Sequence, residues 1–100
     1  MKLIHITFRF QYSEDIDKML DAHGVADYAR YSMVQGKDID GKHFGTKIFP
    51  GNFTVVQAIV QDDTADGLMK DLDVFRKGKR ARYHLRAAVM PIEATVGYDE

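Results

Sequence analysis

Residues 53–61 read Phe-Thr-Val-Val-Gln-Ala-Ile-Val-Gln, β-branched or apolar at nearly every position. A strand with one solvated face alternates apolar and polar residues. This one does not, so both of its faces are covered and it is expected at the centre of a sheet. Either Phe53, Val55 and Ile59 or Val56, Ala58 and Val60 turn towards the core, since both registers are apolar. Whichever set is left over makes an apolar patch larger than most monomers leave in water, which predicts a homo-oligomer that buries sheet faces.

The flanking segments supply what such a strand needs as partners. Leu3 to Phe10 alternates, with Ile4, Ile6, Phe8 and Phe10 on one face and His5, Thr7 and Arg9 on the other, the period of a strand. Ser13 is a suitable helix N-cap, with Glu14 and Asp15 in the first turn. Ile16, Met19, Leu20 and His23 then recur at helical spacing up to Gly24. Gly24 is expected to end the helix in a left-handed conformation. Val25 to Gln35, with Tyr28, Tyr31, Met33 and Val34, reads as a second strand with one polar face. Beyond the central strand, Asp62, Asp63 or Thr64 caps a second helix, whose stripe is Ala65, Leu68, Met69, Leu72 and Phe75 and whose end is Gly78. A last strand runs from about Tyr83 to Met90 or Ile92, and Pro91 argues for an edge position or a strand end.

The order is β-α-β-β-α-β in one domain over residues 1–100. This predicts an α+β fold, the ferredoxin-like split unit. Right-handed crossovers make it a four-stranded antiparallel sheet in spatial order 4-1-3-2 with two helices on one face. One hundred residues hold one core and not two. With 45% apolar and 29% charged residues and a net charge of −1, bulk charge points to neither nucleic acid nor membrane. The absence of cysteine excludes disulfides, thiolate metal sites and a cysteine nucleophile. The first ten residues are too short and too polar for a signal sequence, and no apolar run approaches a membrane span, so a cytoplasmic location is expected.

Two segments stand outside the scaffold. Gly36 to Asn52, a long connection in place of a tight hairpin, holds four of the eight glycines, Pro50, Lys37, Lys42, Lys47 and His43. The lysines offer cationic heads to phosphate or carboxylate, and the glycines let backbone approach a ligand. No phosphate-loop pattern is present. Ile48 and Phe49 ahead of Pro50-Gly51 predict an anchored base from His43 to Asn52 and a mobile part from Gly36 to Lys42. The second segment is Arg76, Lys77, Lys79, Arg80 and Arg82, five cations in seven residues at the end of the second helix. It suits an anion or an acidic partner, although helix C-termini attract cations in any case. No catalytic triad, carboxylate pair or metal-ligand spacing can be assembled, so no catalytic or metal residue is assigned and no cofactor is named. His43 alone makes no metal site. His5 and His84 are placed to face each other across adjacent strands, and His23 is explained by the helix dipole.

The element order, the long connection before the central strand, and the run G-K-H-F-G-T-K-I-F-P-G-N from Gly41 to Asn52 resemble the PII-like signalling proteins, relatives of the nitrogen-regulatory PII proteins in the superfamily that includes the CutA trimers. The resemblance implies a homotrimer with sheets turned inward and a non-enzymatic regulator that senses small molecules in the clefts between subunits. It also implies contact with a partner protein, such as a membrane transporter, through the loop at 36–52. On this resemblance Arg76 to Arg82 takes the place of the phosphate-binding turn. The chain departs from true PII proteins in two ways. The loop has no tyrosine to be nucleotidylated, and R-K-G-K-R-A-R-Y stands where T-G-x-x-G-D-G-K-I-F binds ATP phosphates. Adenine nucleotide binding is therefore not inherited with the resemblance, and the expected ligand is a small anion of open identity or a metal, for which three copies of His43 in a trimer could combine.

A second class of function, a small dimeric α+β barrel enzyme, shares the element order. It would rest on His5, His23 and Tyr31 as its polar candidates. RNA binding on the open sheet needs aromatics on the two central strands. Phe8 and Phe10 are assigned to the helix side, so no nucleic-acid partner is expected.

Overall fold

The computed structural model describes residues 1–38, 41–43, 53–78 and 85–98. In chain order these form β1 (Lys2–Arg9), a 3-10 turn (Phe10–Tyr12), α1 (Ser13–Ala22), β2 (Ala29–Val34), β3 (Gly36–Asp38), β4 (Gly41–His43), β5 (Phe53–Val60), α2 (Asp62–Gly78) and β6 (Leu85–Pro91). Four strands make one sheet in the order β2-β5-β1-β6, with all neighbours antiparallel, and β3 and β4 make a separate two-stranded ribbon. The sheet is the 4-1-3-2 order expected from the sequence. Of its two central strands, β5 is the one apolar on both faces.

The register of β5 is set by its neighbour. β1 alternates without ambiguity: Ile4, Ile6 and Phe8 are fully buried under the helices, and they pair with Ala58, Val56 and Thr54. Directly paired residues share a face, so Val56, Ala58 and Val60 join the core, and Val55, Gln57 and Ile59 go to the open face. The core is completed by Ile16 and Leu20 of α1, Ala65, Leu68 and Leu72 of α2, and Leu85 of β6. Tyr12 meets Phe75 edge to face, with ring centroids 5.7 Å apart.

Helix ends follow backbone chemistry more closely than side-chain capping preferences. Gly24 adopts φ +72 and closes α1 in a Schellman turn: the Val25 amide donates to Leu20 O at 2.9 Å and the Gly24 amide to Asp21 O at 3.0 Å. Ser13 is not the N-cap. The chain enters α1 through the 3-10 turn, so Tyr12 takes the capping position and Ser13 is already helical. The same turn carries Phe10 off the strand and leaves it 64% exposed, outside the core face to which alternation assigns it. α2 opens on Asp62, with the Gln61 carbonyl accepting from the Ala65 amide at 3.0 Å. Asp62 and Asp63 lie in its first turn, where the dipole favours carboxylates.

Polar side chains tie the layers together. His23 Nε2 lies 2.6 Å from Asp71 Oδ2, joining the end of α1 to α2. Arg30 of β2 pairs with Asp17 of α1, which also accepts from Tyr28 OH at 3.3 Å. β2 is thereby fastened to a helix along the sheet edge. It begins at Ala29, later than the sequence pattern suggests, because Val25 is buried in the turn leaving α1. Among the described residues no helix is long and apolar enough to cross a membrane.

Candidate functional site

The connection expected as a loop over 36–52 begins as a β-ribbon. β3 and β4 pair antiparallel, with Gly36 opposite His43, Lys37 opposite Lys42 and Asp38 opposite Gly41. Three candidate residues, Lys37, Lys42 and His43, are thus brought onto one short ribbon, with the two lysines at directly paired positions. Like charges directly opposite one another are unfavourable in an antiparallel pair unless an anion lies between them. The pairing of β3 with β4 runs through His43, across the boundary expected between a mobile and an anchored part. Lys47, Phe49 and the rest of the expected anchor lie outside the described residues.

The ribbon leaves the sheet at an irregular point. The β2–β5 register shifts between Tyr31 and Val34, and Met33 adopts φ +62, rare for a side-chain-bearing residue. Just beyond it, a Cβ on Gly36 would lie 2.5 and 2.6 Å from ring carbons of Phe53, which is 6% exposed. The ribbon backbone therefore rests on the Phe53 ring, and only glycine permits that approach. Gly36→Ala should cost roughly 1–3 kcal/mol by overpacking and displace the ribbon. Denaturant unfolding and amide chemical shifts over 36–43 check this, and native-like shifts would refute the packing account.

The basic turn is described only at its start. Arg76 Nε–H donates to Leu85 O at 3.0 Å, closing the end of α2 onto β6, and Lys77 pairs with Asp73 at 2.9 Å on the exposed surface. Arg76 also lines a cavity of about 330 Å3 between α2 and β6, with Met69, Leu72 and Leu85. Lys79, Arg80 and Arg82 lie outside the described residues. The ribbon and the basic turn stand at the same end of the sheet, one beyond β2 and the other ahead of β6. Three strand spacings separate those edge strands, roughly 14 Å.

The open face of the sheet is apolar at its rim and polar at its middle. Met90, Leu3 and Ile59 form one row across β6, β1 and β5. In the next row, His5 is opposite Gln57 on one side and Ala88 on the other, so Ala88 takes the place expected for His84, which lies outside the described residues. Gln57 Nε2 donates to His5 Nδ1 at 3.1 Å, which puts the imidazole proton on Nε2, 3.3 Å from Thr7 Oγ1. Both ring nitrogens of His5 are thereby engaged. The described groups of His, Asp and Glu form no cluster suited to a metal ion.

A further site escaped the sequence reading. At the end of the open face away from the ribbon, a cleft of about 260 Å3 is floored by Leu3, Gln57 and Ile59 and walled by Tyr31 and Tyr98. Its residues come from β1, β2, β5 and the segment after β6, so no local pattern announces it. Exposed tyrosines at strand and tail positions were its one available signal.

No protein-family model matches the chain, and no curated protein does. Solved structures do. CPII, a nitrogen regulatory PII-like protein from Thiomonas intermedia K12 bound to ADP, AMP and bicarbonate, superposes with a TM-score of 0.73 at 17% identity, covering 94% of this chain and 93% of that one. The apo form of CPII gives 0.65 at 15% identity over 91% and 89%. A PII-like signalling protein from Thermus thermophilus gives 0.65 at 15% identity over 89% and 83%. The chain therefore has the fold of the PII-like signalling proteins over nearly its whole length.

Proposed function

We propose that the protein is a non-enzymatic, cytoplasmic PII-like regulator that binds a small anionic ligand at clefts between subunits and contacts a partner protein through the segment at 36–52. The observation that carries this reading is the ribbon register, which pairs Lys37 with Lys42 next to His43 on a ribbon separate from the main sheet. Lysines at directly paired positions of a ribbon suit an anionic ligand, since charge-assisted hydrogen bonds are the stronger ones. The fold shared with CPII supports a regulatory role over the dimeric barrel enzyme.

The apolar row of Met90, Leu3 and Ile59 on the open face supports a homotrimer with sheets turned inward. Within one subunit the tyrosine-walled cleft and the cationic segments lie at opposite ends of the sheet. A ligand with both a planar ring and an anionic group would therefore bridge the cleft of one subunit and the cations of its neighbour. CPII binds ADP, AMP and bicarbonate, so these are the first ligands to try here. A thermal-shift screen with ADP, ATP, AMP, bicarbonate and divalent metals tests the reading. A ligand at 100 times its Kd adds about 2.7 kcal/mol, and Lys37→Ala or Lys42→Ala should shrink that gain. No shift with any of them, in a protein of confirmed trimeric mass, would overturn ligand sensing.

A further inference from the structure

β6 is an edge strand, and α2 covers its helix side only in part. On central β1 the helix-side residues Ile4, Ile6 and Phe8 have no exposed surface, whereas on β6 Leu85 is buried and Ala87 and Val89 keep part of theirs. Ala87 contributes a single side-chain carbon and so leaves room beneath the helix. The result is the cavity of about 330 Å3 between α2 and β6, with Met69, Leu72, Leu85 and Ala87 as its apolar floor. Its volume lies in the range of small-molecule sites, roughly 300–1,000 Å3.

Three charged residues also line this cavity, and they are not equivalent. The Asp73 carboxylate is taken up by Lys77 at 2.9 Å, one turn further along α2. Arg76 donates its Nε–H to Leu85 O at 3.0 Å, which fixes the guanidinium between helix and strand. Arg86 stands outside the run of cations from Arg76 to Arg82, is exposed, and belongs to no ion pair among the described residues. The acidic charge is therefore compensated within α2, and the excess charge beside the apolar floor is positive. Such a site complements a molecule that is apolar at one end and anionic at the other.

We propose that the cavity between α2 and β6 is a second binding site, and that it takes a small carboxylate with an apolar body, the body on Met69, Leu72 and Ala87 and the carboxylate at Arg86. The site lies on the helix side of the sheet, whereas copies that meet through Met90, Leu3 and Ile59 meet on the open face. It shares no residue with the ribbon or with the tyrosine-walled cleft, and it does not rest on the function proposed above.

Octanoate is the probe, titrated into the protein and followed by calorimetry and amide chemical shifts. Binding should saturate, with shifts centred on Met69, Leu72, Leu85 and Ala87. Arg86→Gln alters an exposed position, so the fold should be kept while octanoate binds about tenfold more weakly or worse, because a charge-assisted hydrogen bond is lost. Octanol should bind the unaltered protein about as weakly as octanoate binds Arg86→Gln. Ala87→Leu places a larger side chain on the floor and should remove octanoate binding; if that variant does not fold, Arg86→Gln and octanol decide. Lys37→Ala should bind octanoate as the unaltered protein does. The proposal is overturned by the absence of saturable octanoate binding, by shifts confined to Leu3 and Ile59 on the open face, by octanol bound as tightly as octanoate, or by an unchanged affinity in Arg86→Gln. Loss of octanoate binding in Lys37→Ala overturns it as well, since the ribbon would then be the site. Failure of nucleotides and bicarbonate to bind overturns the earlier reading alone and leaves every octanoate outcome decisive.

Discussion

Ile59→Lys should reduce the proposed homo-oligomer to folded monomers of 11.4 kDa. Ile59 sits half-buried on the open face of β5, paired with Leu3, which is in turn paired with Met90. This row is the apolar part of the face best suited to meet another copy, and a lysine placed in it would be buried without a partner. Burying an unpaired charge costs several kcal/mol, enough to dissolve a homo-oligomer at micromolar concentrations. In the isolated subunit the same side chain would reach water, so the fold should survive. Size-exclusion chromatography with light scattering reads the mass, and circular dichroism reads the fold. An unchanged mass would remove the sheet face from the interface. A mass of 11.4 kDa in the unaltered protein would remove the oligomer itself.

The largest stability effect is expected at Phe8 and a negligible one two residues later. Phe8 has no exposed surface, is enclosed by the helices and pairs with Leu85 and Thr54 of the adjacent strands. Phe8→Ala removes that packing and leaves a cavity, at about 3–5 kcal/mol. In a domain of this size that lowers Tm by roughly 12–40 °C. Phe10→Ala, on the exposed 3-10 turn, should change stability by no more than about 0.5 kcal/mol. Alternation alone assigns both phenylalanines to the core, so the pair of variants tests the turn at Phe10–Tyr12 directly. Equal losses would show that the strand continues through Phe10.

What was legible in the sequence was what local chemistry determines. Period-two alternation in β1, helical stripes in α1 and α2, the glycine closing α1 and the two-sided apolar run of β5 were enough for the element order and the sheet topology. The ribbon was harder to see. Its strands are three residues long and carry no apolar alternation. Phe10 was misplaced for the related reason that a period does not say where a strand stops.

Other features had no local signature. β5 is apolar on both faces, so its own residues do not choose which face meets the helices; pairing with the unambiguous β1 does. His5 acquires Gln57 as its partner, and His23 acquires Asp71, only when residues about fifty positions apart are brought together. The cleft is assembled from Leu3, Tyr31, Ile59 and Tyr98 in the same way. Local propensity and periodicity act over a few residues and were sufficient for the scaffold. The facing lysines depend on hairpin register, and the cleft depends on long-range packing, so tertiary structure alone decided where a ligand has room to bind.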